Sequence, residues 1–114
     1  MRRVEKPWGY EVIWAETDEY VGKIMEINPG HRMSLQYHEK KEETVYVLKG
    51  NLIVWHSNKL EDCKIFGPNE VYHVTPKMIH RFGCAKDQKE PTRIIEVSTN
   101  YLSDVIRLED DYKR

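Results

Sequence analysis

Four side chains in this sequence have the types and spacing that metal chemistry requires. Gln36 and His38 lie two apart in "SLQYHEKKEETVYVLKG", Glu43 follows a short charged stretch, and His80 stands far along the chain. Neutral imidazole, carboxylate and amide oxygen are suitable ligands for a divalent first-row ion, and three or four of them leave a coordination position open for substrate. Residues two apart in a strand share a face, so Gln36 and His38 point the same way. The "EKKE" turn then reverses the chain and places Glu43 at the head of the neighbouring strand. The plainer alternative is a hydrogen-bonded polar lining inside a barrel, with Glu43 a solvated strand-head carboxylate. The joint spacing, with a distant histidine, favours the metal.

The elements that must hold these residues read as strands. "YEVIWA", "YVGKIMEI", "RMSLQYH", "ETVYVL", "NLIVWH", "DCKIF", "EVYHV", "IHRFGC" and "TRIIEVS" are short, regularly spaced and rich in β-branched or aromatic residues. Turn chemistry separates them at Asn28-Pro29-Gly30, Lys49-Gly50-Asn51, Gly67-Pro68-Asn69 and Thr75-Pro76. The pattern predicts an all-β sandwich or barrel rather than βαβ units. After Ser98 the rhythm changes, and Leu102, Val105, Ile106 and Leu108 fit a short helical turn or an irregular C-terminal tail packed on the barrel.

A chain of 114 residues suits a single domain, here residues 1–114, and no linker or repeat divides it. The formal net charge is -1, which argues against a nucleic-acid partner and in favour of a small molecule. Apolar runs such as Val45 to Leu48 are too short for a membrane span or a signal core, so a cytoplasmic protein without membrane contact is expected. Cys63 and Cys84 are expected to be reduced packing residues. His31, His56 and His73 are expected to be structural or exposed.

The sequence resembles the cupins, double-stranded β-helix barrels of the jelly-roll type. Gly30, Gln36, His38, Glu43 and Gly50 fall on the first cupin motif, with Gln36 in place of its first histidine. Pro76 and His80 fall on the second, in which Met78 replaces a glycine, Cys84 an asparagine, and Asn69 the opening glycine. Within the cupins, "EKPWGYEV", "NPGHRMSLQYH", "IHRF", "IIEVST" and "DVIRLEDDYKR" are similar to segments of mannose-6-phosphate isomerases and of the isomerase domain fused to mannose-1-phosphate guanylyltransferases. The resemblance implies a homodimer and one divalent ion, zinc first, with manganese, iron, nickel or cobalt as alternatives. Its ligands would be Gln36, His38, Glu43 and His80, since Gln, His, Glu and His hold zinc in the longer isomerases.

An aldose–ketose isomerase also needs a group that carries a proton between C1 and C2, and an anchor for the phosphate. With Glu43 on the metal, Glu96 is the candidate proton carrier, weighed against an outward-facing strand carboxylate. Arg32, Lys23 and Arg81 are the candidate substrate cations; Arg32 shares the parity of Gln36 and His38, whereas the parity of Arg81 predicts an outward position. Lys40 and Lys41 read as a solvated turn. Competing readings are a non-catalytic metal- or sugar-binding cupin, or another cupin enzyme such as a dioxygenase or a sugar-nucleotide epimerase or ketoisomerase.

Overall fold

Every strand expected from alternation forms in the computed structural model, which describes residues 1–112. In chain order the elements are β1 (Arg2–Lys6), β2 (Gly9–Glu16), β3 (Tyr20–Ile27), β4 (Leu35–Tyr37), β5 (Glu43–Lys49) and β6 (Leu52–Trp55). They continue with β7 (Cys63–Phe66), β8 (Val71–Val74), β9 (Arg81–Gly83), β10 (Thr92–Thr99) and β11 (Ile106–Glu109). A six-stranded sheet runs β1-β2-β3-β10-β5-β8, and two smaller sheets, β7-β6-β9 and β11-β4, complete the barrel. All named strand pairs are antiparallel. No helix among the described residues is long and apolar enough to cross a membrane.

Alternation along β5 and β10 shows how one sequence pattern builds both core and site. Val45, Val47 and Ile94 point inward and are fully buried, and on the same inward faces lie Glu43, Glu96 and Ser98. The pairing sets Ser98 opposite Glu43, and on the other side Glu96 opposite Lys23 of β3. One half of the barrel is therefore filled with Ile27, Val45, Val47, Leu52, Val54 and Ile94, while the other half is lined with charge. Two glycines fix the turns that set this register. Gly50 has φ +75° in the β5–β6 connection, and a Cβ on Gly9 would run into the Glu26 carbonyl oxygen. Asn69, where the motif usually has glycine, adopts φ +70°, a conformation that asparagine tolerates.

The tail after Ser98 departs from the expectation. Leu102 and Val105 lie in an irregular segment, but Ile106–Glu109 is a strand, hydrogen-bonded to β4 with Arg107 opposite Gln36. Its residues are exposed along their length, so spacing carried no signal of a strand. Trp8 is 4% accessible and belongs to the core, whereas Trp14 is 44% accessible and lies over Gly22 on the outer face. Both cysteines are free; Cys84 packs in the core and Cys63 is partly exposed. Lys113 and Arg114, which end the "DVIRLEDDYKR" segment, lie outside the described residues.

Candidate metal centre

Backbone pairing brings the distant His80 to the first motif. Gln36 and His80 form an isolated antiparallel bridge, with Gln36 N–H donating to the His80 carbonyl at 3.0 Å and His80 N–H to the Gln36 carbonyl at 2.9 Å. His38 follows β4 directly, and Glu43 opens β5. The outcome is a buried cluster: the ligand atoms of His38, Glu43 and His80 lie within 4.8 Å of one another. Each Nε2 faces the same oxygen, with Glu43 Oε1 at 3.3 Å from His38 and 3.2 Å from His80.

The tautomers follow from what the other ring nitrogens do. His38 Nδ1–H donates to the Asp104 carbonyl at 2.5 Å, and His80 Nδ1–H to the Met78 carbonyl at 2.9 Å. A neutral imidazole that donates from Nδ1 presents a lone pair at Nε2. Among the described residues these two buried Nε2 atoms are the side-chain polar atoms without a hydrogen-bond partner. Buried polar atoms are almost always satisfied, so two orphaned lone pairs converging beside a carboxylate fit a divalent cation. The Gln36 amide oxygen accepts from Ser34 Oγ at 2.6 Å, and its side chain lines the same cavity, which measures ≈ 250 Å³.

A second buried carboxyl and a buried ammonium complete the interior. Lys41 Nζ lies 3.1 Å from Glu96 Oε2 and 3.6 Å from Glu43 Oε2, and Ser98 Oγ donates to Glu96 Oε2 at 2.9 Å. Burial, and then the neighbouring Glu43 charge, push the Glu96 carboxyl up to about 8. Burial also opposes ionisation of Glu43, but the hydrogen bond from Glu96 and the charge of Lys41 outweigh it and hold that carboxyl well below its usual range. One carboxylate and one proton are thus shared between the pair. For Lys41, burial disfavours the charge, but Glu96 and Glu43 overcome it and hold the ammonium above its ordinary value.

A family model described as "Mannose-6-phosphate isomerase C-terminal" matches residues 1–110. The chain belongs to this family. Relatives within it include the mannose-1-phosphate guanylyltransferase of Escherichia coli (strain K12), 35% identical over 118 residues that cover 99% of this chain and 23% of that protein. The chain therefore spans about a quarter of that relative's length. Among solved structures, a cupin-like protein from Thermotoga maritima superposes with a TM-score of 0.75 at 18% identity, covering 91% of this chain and 78% of that one. A sugar phosphate isomerase of the cupin superfamily from Silicibacter pomeroyi gives 0.67 at 18% identity, covering 80% and 59%. The fold is the cupin double-stranded β-helix.

The positions of the family's candidate residues differ in part from the sequence expectation. Gln36, His38, Glu43 and His80 gather at one cavity, and Glu96 joins them there, buried rather than outward. Lys23 also lines the cavity, where its Nζ pairs with Glu11 Oε2 at 3.2 Å. Arg32 does not line it: both its Nε and Nη2 donate to Asp111, at 2.5 and 2.9 Å, and its guanidinium lies over Trp55. Arg81 is 1% accessible, against the outward position its parity predicted. Every residue of β9 is buried, because the C-terminal segment covers its other face; Arg81 donates to the Met33 carbonyl at 2.8 Å and pairs with Glu109 at 3.0 Å. Lys41, read as a solvated turn residue, is 6% accessible.

Asp104 explains the position of Lys41. Its carboxylate accepts the backbone N–H groups of Glu39, Lys40 and Lys41 at 3.0, 2.7 and 2.9 Å, which folds the turn over the cavity. These bonds, that of Lys40 foremost, hold the Asp104 carboxyl below its ordinary range. The signal in the sequence was an aspartate ahead of a strand, too common to single out. His31 and His56 bond the hydroxyls of Tyr112 and Tyr72, and His73 pairs on the surface with Glu42, so none of the three reaches the cavity.

Proposed function

We propose that this cupin holds one divalent metal ion, zinc first, and isomerises a sugar phosphate, converting mannose 6-phosphate to fructose 6-phosphate. The observation that carries the reading is the pair of buried, unpartnered Nε2 atoms converging on Glu43. Gln36, His38, Glu43 and His80 would hold the ion, and an ion bound there polarises a carbonyl oxygen. Glu11 and Glu96 are the cavity carboxyls not required as ligands; Glu11 is paired with Lys23 and Lys6, and we assign to Glu96, beside Glu43, the proton that moves between C1 and C2. Lys41 holds Glu96 in place through its 3.1 Å contact, and Ser98 fixes the carboxyl's orientation. The mixture of Met33, Phe82 and Trp8 in the wall excludes water from part of the cavity. In this reading residues 1–114 act as one domain and pair as a homodimer in the cytoplasm.

The test is elemental analysis of protein purified without chelator, beside a His38→Ala, His80→Ala double variant, followed by an isomerase assay with each candidate metal restored. About one ion per chain in the parent, much less in the variant, and turnover of mannose 6-phosphate are expected. Failure of the parent to bind zinc, manganese, iron, nickel or cobalt would end the metal reading. Binding of mannose 6-phosphate by the loaded protein without turnover would replace the isomerase by a sugar-binding module.

A further inference from the structure

A sugar phosphate needs a cation at the rim of the cavity, set apart in depth from the buried His38, Glu43 and His80, and the pairing of the cavity's cations narrows the choice. Lys23 and Lys6 both face Glu11, at 3.2 and 3.7 Å. Lys41 lies between Glu43 and Glu96, and Arg81 is held by Glu109 and the Met33 carbonyl. Arg2 pairs with Glu16 at 3.3 Å. Arg107 lines the cavity and has no acidic partner among the described residues.

The direction of Arg107 follows from strand register. It pairs directly with Gln36 across β11 and β4, and residues opposite one another in an antiparallel pair project to the same face. Gln36 faces the cavity, so Arg107 does too. The carboxylate that would ordinarily neutralise it is Glu109, two residues on and therefore on the same face of a regular strand. A register shift between Arg107 and Glu109 interrupts that regularity, and Arg81 takes the Glu109 carboxylate at 3.0 Å. Arg107 is left exposed at the mouth, whereas His38, Glu43 and His80 are buried.

We infer that Arg107 is the phosphate-binding residue of this cavity, its guanidinium fork receiving the dianionic phosphate monoester while the aldose end of the substrate lies against the buried ligands. The inference rests on the sugar-phosphate reading of the site. Planar guanidinium matches phosphate oxygens in a bidentate geometry, and an exposed arginine carries its charge without a desolvation cost. Depth then separates the two ends of the ligand, with the reacting carbons inside and the phosphate at the rim.

The experiment titrates inorganic phosphate calorimetrically into metal-loaded parent, Arg107→Ala and Arg107→Lys proteins, with metal content and mannose 6-phosphate kinetics measured on the same samples. Arg107→Ala is expected to keep its metal, weaken phosphate binding by about tenfold or more and raise KM in proportion with kcat little changed, while Arg107→Lys recovers part of the loss. Phosphate binding that is absent from the parent, or equal in parent and Arg107→Ala, overturns the inference. Turnover by the parent with a KM indifferent to Arg107 leaves the isomerase standing and removes the anchor. Arg107-dependent phosphate binding without turnover retains the anchor and removes the isomerase.

Discussion

At 3.1 Å from Glu96 and 3.6 Å from Glu43, the Lys41 ammonium is the positive charge that lets two carboxyls share a closed space before any cation arrives. Removing one partner of a buried ionic group leaves the others uncompensated. Lys41→Met is therefore expected to cost the metal-free protein about 3 kcal/mol in urea unfolding, and saturating divalent ion is expected to restore most of the loss by supplying the missing charge. A loss that metal does not reduce would show that Lys41 acts through packing alone. The proposed ligand residues themselves were legible because a His and a Gln two apart, ahead of a strand-head Glu, have few other uses. Lys41 was not: in "HEKKEE" neighbouring charges give no parity, and the residue that turns Lys41 inward is Asp104, far downstream.

Among the elements, the segment from Asp104 to Glu109 holds most of the site's outer support. Asp104 accepts from His38 through its carbonyl and from three consecutive N–H groups through its carboxylate, and β11 then pairs with β4. Partners that orient a metal-binding imidazole commonly matter by about 10–100-fold in affinity. Asp104→Ala, which frees the turn and loosens the carbonyl's grip on His38, is expected to lower zinc affinity by about tenfold in competition with a chromophoric chelator, with the far-ultraviolet dichroism of a β protein intact. Unchanged affinity would mean that the backbone carbonyl alone suffices. The interior strands could be read from alternation because each buries one face. Arg2–Lys6 and Ile106–Glu109 escaped that reading for the opposite reason: they lie at sheet margins, largely exposed, and their place is set by the partner strand.

For the whole molecule, the outer face of the six-stranded sheet carries a row of apolar side chains in direct cross-strand register: Val12, Ile24, Ile95, Tyr46 and Val71. The row is centred on Ile95, so a two-fold axis there would lay each half on the other, as an isologous interface demands. If the proposed homodimer uses this face, Ile95→Glu is expected to sediment as a monomer with its metal content unchanged, and a variant that remains dimeric would place the interface elsewhere. Sequence alternation gave the inner face and was silent on the outer, because in a barrel an outward valine and an inward one differ only in what lies beside them. The long reach between His38 and Asp104 also orders events in time. Every proposed ligand precedes Asp104 in the chain, and at ribosomal speeds roughly a second or more passes between the emergence of His80 and that of residue 104. During that interval the nascent imidazoles have no carbonyl to fix His38 and no folded turn to supply Lys41. Selective loading of the proposed ion therefore waits for Asp104, and the ion taken is the one available once that residue has emerged and the turn has closed.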